Sequence, residues 1–443
     1  MSPSPRKTAI EIIRRLQKAG FTAFWVGGCV RDFLLGRQPQ DFDIATEARP
    51  EQIEGLFAQT IAVGRKFGVM VVVEGGHNFQ VATFRAEAEY ADGRRPGRVT
   101  FADARADALR RDFTINGLFY DPLSKRTYDW VGGAVDLKAG IIRTIGVPEE
   151  RFAEDHLRLL RAVRFAAQLN FQIEPHVSAA IQSLAPRIQA ISAERVRDEL
   201  LKLFAPPHAA RGLALLRNSG LLEYILPELA ATISCEQSPD YHPEGVVFEH
   251  IRLMLEKLPK SCPESLPWAV LLHDIAKPVT ATRDAQTGAI HFYGHEKVGA
   301  VMAGEILRRL RFPRRQMDEI VVCVKNHMQF KDAREMRKAT LRRLLLRETF
   351  PTELELHRLD CLASHGSLEI YDFLVEQAEE LKKKPAIRPP LLTGRDLIAL
   401  GMTPGPALGA LLNDVREKQL AEELKTRREA RAWAKRKLGG ETG

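Results

Sequence analysis

The chain lacks the paired cysteines of a disulfide frame. Its five cysteines, an odd number in 443 residues, lie far apart, and no two form a CxxC pair. That argues against a cysteine-built zinc site and for reduced thiols in the cytoplasm. Long apolar runs are lacking too. The longest, such as residues 69–73, fall far short of the ~20 residues of a membrane span. The first seven residues hold no apolar signal core, so neither secretion nor a membrane partner is expected. No fixed-period repeat marks a solenoid. What remains is ordinary globular composition, 45% hydrophobic and 28% charged, which excludes wholesale disorder and collagen. At ~150 residues per domain the length suggests about three domains.

Positive charge is in excess, 65 Lys and Arg against 57 Asp and Glu. Two stretches concentrate it. Residues 331–347 hold Lys331, Arg334, Arg337, Lys338, Arg342, Arg343 and Arg347, and residues 425–437 hold Lys425, Arg427, Arg428, Arg431, Lys435, Arg436 and Lys437. Each is either a solvated helix face or a phosphate-contacting one.

Residues 1–148 mix helical and strand patterns and predict an α/β head with a small sheet. Strands are expected at 21–26, 41–45, 69–74 and 79–84, the last two paired around Gly75-Gly76-His77-Asn78. Residues 88–107 are polar, carry Asp92-Gly93-Arg94-Arg95-Pro96-Gly97, and read as a mobile loop. From residue 149 the pattern is helical, punctuated by prolines. Joints are expected at 234–243 and 382–390. The resulting division is 1–148 head, 149–233 helical neck, 234–375 a histidine-rich helical domain and 376–443 a basic helical tail.

Gly27-Gly28-Cys29-Val30-Arg31-Asp32 follows a predicted strand and opens a helix. Missing Cβ atoms let a phosphate reach backbone N–H groups there, and Arg31 adds a cation. The bland alternative is an ordinary strand–helix turn. Asp41-Phe42-Asp43 sets two carboxylates on one strand face. Two such anions repel unless cations lie between them, and hard oxygen ligands suit Mg²⁺. The alternative is a pair of solvated acids. Glycines with an arginine, then two acids at a sheet edge, are together what nucleotidyl transfer requires.

Residues 24–46, FWVGGCVRDFLLGRQPQDFDIAT, resemble the signature of the class II tRNA nucleotidyltransferase and poly(A) polymerase family, within the polymerase-β-like superfamily. Arg110-Arg111-Asp112-Phe113-Thr114-Ile115-Asn116 and the run from Glu154-Asp155 to Arg164-Phe165 match as well. The resemblance implies an α/β N-terminal polymerase-β-like nucleotidyltransferase palm followed by all-α neck, HD and tail domains. It implies Asp41 and Asp43 as catalytic ligands of Mg²⁺. Gly27, Gly28, Arg31 and Arg111 would contact the triphosphate, and Asp112 and Asn116 would shape the pocket. The implied reaction adds or repairs the 3′-terminal CCA of tRNA from CTP and ATP. Poly(A) addition, or A-only or CC-only addition, is the near alternative. In relatives a flexible loop at 88–107 takes part in switching from CTP to ATP. Gln80 falls where many relatives carry an acid, so a third carboxylate ligand is not expected.

In the neck, Asp155, Arg158, Arg161 and Arg164 recur every three residues of a helical stretch. Asp155 can accept from N4 of cytosine or N6 of adenine while Arg158 donates to the adjacent ring acceptors. Uracil and guanine offer the wrong partners to both. The resemblance gives this pair that role and has Arg161 and Arg164 touch nucleotide. A plain surface ion pair is the alternative. Ser192 is expected to cap a helix whose motif, Ser192-Ala193-Glu194-Arg195, takes a structural or RNA-neck role.

Six of the twelve histidines fall in one window: His242, His250, His273, His291, His295 and His327. Imidazoles with the carboxylate of Asp274 suit Mn, Fe, Ni or Zn. The order His250, His273-Asp274, His295, His327, Asp360 resembles the HD phosphohydrolase superfamily. That implies metal-dependent phosphoester hydrolysis, with an inactive structural domain as the alternative. Residues 391–406 are similar to the tails of the same nucleotidyltransferases, in which setting the 425–437 helix would bind tRNA. A hydrolase with a vestigial head and a pure RNA-binding protein are rival readings of the whole chain.

Overall fold

The computed structural model describes residues 4–90, 96–238, 244–383 and 389–438. By packing, Met1–Ala230 and Ala231–Gly443 form two compact units. The head and neck stretches fall almost wholly in the first.

Helix α1 (Pro5–Lys18) starts on a proline and buries Ile12, Ile13 and Leu16 along one stripe, as an amphipathic helix must. Strand β1 (Ala23–Val26) is buried at all four positions because it is central. It pairs antiparallel with β2 (Ile44–Thr46) on one side and with β8 (Phe119–Asp121) on the other. Helix α2 (Gly28–Leu34) and helix α3 (Pro50–Leu56) flank β2 in the chain. β2 runs parallel to β5 (His77–Thr83), and β4 (Val69–Glu74), β3 (Thr60–Gly64) and β9 (Arg126–Tyr128) complete a seven-stranded sheet in the order β3-β4-β5-β2-β1-β8-β9. The β4–β5 hairpin closes at Glu74 opposite His77. Its turn is Gly75-Gly76 alone, with φ of +59° and +81°, which two-residue hairpin turns demand. It is tighter than the predicted four-residue turn.

Two further differences concern the site. The predicted strand 41–45 begins only at Ile44, although the Asp43 carbonyl still accepts from Val26 N at 3.0 Å. Phe42 packs on Trp25 at 4.8 Å between centroids. The predicted loop 88–107 is instead a second hairpin, β6 (Arg85–Tyr90) with β7 (Pro96–Phe101), followed by α4 (Ala104–Leu109). The backbone groups pair with each other rather than with water. Residues 91–95 lie outside the described residues.

In the neck, α5 (Gly133–Ala139) leads to α6 (Pro148–Glu154) and α7 (Leu157–Leu169). The predicted continuous helix through 155 is broken: Asp155 is extended, at φ −152° and ψ 105°, and its carboxylate accepts from Leu157 N at 3.1 Å. An aspartate so placed starts a new helix rather than continuing the old one. α8 (Pro175–Leu184), α9 (Ala193–Leu203) and α10 (Ala209–Asn218) follow, with α9 and α10 packed on α7. Ser192 takes the expected N-cap position of α9, but its hydroxyl makes no capping hydrogen bond.

Among the described residues the second unit is mostly helical, with one short hairpin, Thr282–Arg283 with Ile290–His291, and an isolated bridge between Glu236 and Val246. Its helix Ser265–Leu272 is buried at every position. In the tail, helices Gly394–Ile398, Pro406–Leu420 and Arg427–Leu438 bury Leu397, Leu411, Val415, Ala430 and Ala434 together. The basic stretch 331–347 is partly committed to ion pairs within the protein, while Lys331, Arg334, Arg337, Lys338 and Arg343 stay exposed. Lys338 pairs with Glu422 at 2.6 Å, Arg342 with Glu422, Arg343 with Glu417, and Arg347 with Glu353 at 3.0 Å. In residues 425–437, Arg428, Arg431, Lys435 and Arg436 are exposed too.

Candidate active site and metal centre

Eleven of the predicted head and neck residues meet in one cavity of about 500 Å³. These are Gly27, Gly28, Arg31, Asp43, Arg111, Asp112, Asn116, Asp155, Arg158, Arg161 and Arg164. The exception is Asp41, which is exposed and does not line it. Gly27 caps α2 with φ +71° and ψ −134°, a conformation that L side chains avoid. A Cβ there would lie 3.1 Å from Nη1 of Arg111. Gly28 is helical, and its added Cβ would make an ordinary 3.6 Å contact with Arg31.

Asp43 sits at the end of β2, level with Gln80 on β5, given that Ile44 pairs with Val81 in parallel. Both face the cavity, so an amide occupies the place where a third carboxylate could have stood. Burial raises the Asp43 carboxyl above its usual range; Arg111 opposes that shift and Asp41 adds to it. A buried carboxylate disfavoured by its surroundings and by a second acid is what a divalent cation relieves. The residues present therefore fit a hard cation on oxygen ligands.

The polar floor is one connected network. Arg31 donates to Asn116 Oδ1 (2.8 Å), Asn116 Nδ2 donates to Asp112 (3.1 Å), and Arg161 donates to Asp112 at 2.6 and 2.9 Å. Arg164 continues it to Glu199 at 2.5 Å. Burial alone would raise Asp112, but Arg161 and the Asn116 amide hold it well below the usual carboxylate range. Asp107, 1% exposed, holds both Arg110 and Arg111, at 2.7 and 2.9 Å.

Asp155 and Arg158 do not pair with each other. Arg195 grips Asp155 with two bonds, 3.2 and 2.6 Å. Arg158 is held by Glu154 and donates to the Arg151 carbonyl at 2.9 Å. Sequence reasoning missed Arg195, Glu154, Asp107 and Glu199 in these positions. Arg195 had a signal, since it lies in the motif after Ser192, but a partner 40 residues away leaves no local trace.

The second unit brings His250, His273, Asp274, His295, His327 and Asp360 together. His242 lies outside the described residues, and His291 stands on the short hairpin. Nδ1 of His273, His295 and His327 lies 2.8, 2.8 and 2.7 Å from the carbonyls of Val270, Phe292 and Val324. A carbonyl only accepts, so each Nδ1 carries the hydrogen and each Nε2 keeps its lone pair for the centre. His295 and His327 then face each other Nε2 to Nε2 at 3.1 Å, with Asp274 Oδ1 at 3.3 and 3.7 Å. Two lone pairs at that distance require a proton or a metal cation between them. His250, His273 and Asp274 form a second triad of donors around the same carboxylate, and His250 Nε2 is 3.1 Å from Asp360. Burial and the neighbouring His273 push His327 down to about 4, so it is a neutral donor at pH 7. The donor set fits a borderline transition metal.

Three family models match parts of this chain. The Poly A polymerase head domain matches residues 23–143, the "Probable RNA and SrmB- binding site of polymerase A" residues 170–233, and the HD domain residues 240–363. The A-adding tRNA nucleotidyltransferase of Deinococcus radiodurans is 35% identical over 93% of this chain and 94% of its own. The CCA-adding enzyme of Levilactobacillus brevis is 33% identical over 93% of each. The chain belongs to the CCA-adding enzyme family of tRNA nucleotidyltransferases. Among solved structures, the Bacillus stearothermophilus CCA-adding enzyme in complex with CTP matches with a TM-score of 0.77 at 29% identity, over 99% of this chain and 98% of that one. A CCA-adding enzyme with ATP shares the fold at 20% identity, TM-score 0.64. The polymerase head and the HD domain are both metal-dependent types. No helix of the described residues is long and apolar enough to cross a membrane.

Proposed function

We propose that this nucleotidyltransferase adds or repairs the 3′-terminal CCA of tRNA from CTP and ATP, without a nucleic-acid template. One observation carries the reading. The cavity is lined by eight arginines (Arg31, Arg85, Arg110, Arg111, Arg158, Arg161, Arg164 and Arg195) against three aspartates (Asp43, Asp112 and Asp155). Asp107, Glu154 and Glu199 behind the wall pair with several of these arginines, yet so dense a set of guanidinium donors facing one cavity suits a polyanion such as a nucleoside triphosphate.

The tRNA 3′-hydroxyl attacks the α-phosphorus, the bond to the β-phosphate oxygen breaks, and pyrophosphate leaves. Mg²⁺ on Asp41 and Asp43 would lower the hydroxyl pKa and offset the leaving charge. Arg111, braced by Asp107, and Arg31, braced by Asn116, take the phosphate chain. Asp155 keeps carboxylate lone pairs beyond those used by Arg195 and Leu157 N, and Arg158 keeps N–H donors beyond those used by Glu154 and Arg151. The pair can thus read the amine edge of C or A. Each good bidentate contact discriminates by ~1–3 kcal/mol. The exposed basic face of the Arg427–Leu438 helix is suited to RNA phosphates. Five unpaired cysteines fit a reducing compartment such as the cytoplasm.

The test is primer extension. tRNAs ending before CCA, at CC, and complete are each given one nucleotide at a time, and the products are sequenced. Two C residues then one A support the reading. ATP use on the CC end alone would make it an A-adding enzyme, like its Deinococcus relative by name, and unlimited A addition a poly(A) polymerase.

A second reading belongs to the histidine–aspartate centre, carried by the 3.1 Å approach of His295 to His327. We infer that it binds Mn, Fe, Ni or Zn and hydrolyses a phosphoester. A water oxygen joins phosphorus, the ester P–O bond breaks, and the departing alcohol takes a proton. His273→Ala should abolish hydrolysis and spare nucleotide addition. Asp41→Ala should do the reverse.

A further inference from the structure

One phenyl ring stands among the arginines of the head and neck cavity. Phe165 lines that cavity and is 5% exposed. It lies on α7 one residue after Arg164 and four after Arg161, and the four-residue spacing puts Arg161 and Phe165 on one helix face. Arg31 comes from α2. All three guanidinium carbons lie close to the Phe165 centroid: Arg164 at 3.9 Å, Arg31 at 5.1 Å and Arg161 at 5.3 Å. Phe113 packs edge-on with the same ring, centroids 5.7 Å apart and planes at 79°. A fourth arginine repeats the arrangement elsewhere in the cavity, where Arg111 lies 5.0 Å from the Phe119 centroid.

Three like charges around one ring repel each other. Burial draws the Arg164 guanidinium below its ordinary range; Glu199 opposes that shift, and the charge of Arg161 adds to it. Two buried carboxylates offset part of the repulsion. Asp112 holds Arg161 at 2.6 Å and Glu199 holds Arg164 at 2.5 Å. Arg31 has the neutral amide of Asn116 at 2.8 Å and the partly exposed Asp32 at 2.9 Å. A further buried carboxylate could hold these side chains in place, but it would also cancel the charge that a phosphate needs. An aromatic face does the first without the second. It attracts a guanidinium by its quadrupole, by about 0.5–2 kcal/mol, yet brings no negative charge and occupies no N–H donor. Each arginine has five such donors, and the partners named take only some of them. The rest stay available to phosphate oxygens.

We propose that Phe165 is a positioning residue for triphosphate binding, whose ring holds Arg31, Arg161 and Arg164 together in the cavity without neutralising them. The proposal rests on the reading of this cavity as a nucleoside triphosphate site and adds to it the residue that assembles three of its cations.

The experiment uses the full chain, with Phe165 replaced through an expanded genetic code by mono-, di- and trifluorophenylalanine. Each fluorine weakens the negative face of the ring while nearly keeping its shape. CTP and ATP affinities are read by calorimetry with Mg²⁺ and without tRNA, and cytidine affinity by competition. CTP and ATP should both weaken stepwise with fluorine number, reaching about tenfold for the trifluoro ring. Cytidine, which carries no phosphate, should bind equally throughout the series. Phe165→Leu, apolar but without a π face, should weaken CTP at least as much as the trifluoro ring; should it fail to fold, the near-isosteric fluorinated series decides alone. A flat series, or an equal loss for cytidine, would overturn the role of the ring and leave the triphosphate reading standing. A wild-type protein that binds CTP no more tightly than cytidine would overturn both.

Discussion

Alanine at Gly27 should harm the head far more than alanine at Gly28. At Gly27 the backbone sits at φ +71° and ψ −134°, which costs an L-residue on the order of 1–3 kcal/mol. The new Cβ also comes within 3.1 Å of Arg111 Nη1, and Arg111 cannot easily yield. It is bonded to Asp107 at 2.9 Å and reaches the Asn116 carbonyl at 3.4 Å. At Gly28 the backbone is already helical, the contact is an ordinary 3.6 Å, and replacing glycine in a helix gains roughly 0.5–1 kcal/mol. The two variants should therefore differ by about 2 kcal/mol or more, which is roughly 30-fold in an equilibrium constant. Hydrogen exchange of the β1 amides measures that difference within the folded protein. Displacing Arg111 should also raise KM for CTP and ATP together. Equal β1 protection in the two variants would show that the reasoning about this turn is wrong.

Asp155→Ala should lose base selectivity more than phosphate binding. UTP and GTP use should rise relative to CTP and ATP by about 5- to 100-fold, and an unchanged C/A preference in single-nucleotide extension would count against the pair. Arg195→Ala should shift the same ratio in the same direction, by less, because the carboxylate remains but loses its brace. Asp112→Asn should destabilise the first unit by about 2–3 kcal/mol at pH 7, the low end for a buried pair since Arg161 is partly exposed. The sign with pH follows from the depressed folded pKa of Asp112. The stabilisation is complete above the unfolded value near ~4 and disappears as pH falls below it toward the folded value. The wild-type advantage over Asp112→Asn in urea unfolding should therefore shrink on going from pH 5 to pH 3; a constant gap would mean that the ion pair is not its source. Gly133→Ala, whose Cβ would fall 2.1 Å from the Thr114 carbonyl, should cost about 1–3 kcal/mol, read by thermal melting.

Much of the site is legible in the sequence because it is local. Gly27-Gly28-Arg31, the acids around Phe42 and the Arg111–Asn116 run each sit within a few residues, and the order of motifs is distinctive. What is not legible depends on distance. The bond from Arg195 to Asp155 joins residues 40 apart, and that from Arg161 to Asp112 joins residues 49 apart. No periodicity encodes either. The break at Asp155 was hidden because its three-residue spacing with Arg158, Arg161 and Arg164 looks helical, while its side chain competes for the backbone. The hairpin β6–β7 was hidden because the polar run with Asp92-Gly93-Arg94-Arg95-Pro96-Gly97 reads in sequence as a loop. In the second unit the histidine order discloses the centre.

The most direct measurement is CTP addition to tRNA lacking CCA by Asp43→Asn, with tRNA affinity read in parallel. Asp43 is the acid that lines the cavity, so the account predicts a fall in turnover of at least about 100-fold with tRNA binding unchanged. Turnover within a few-fold of wild type would contradict it.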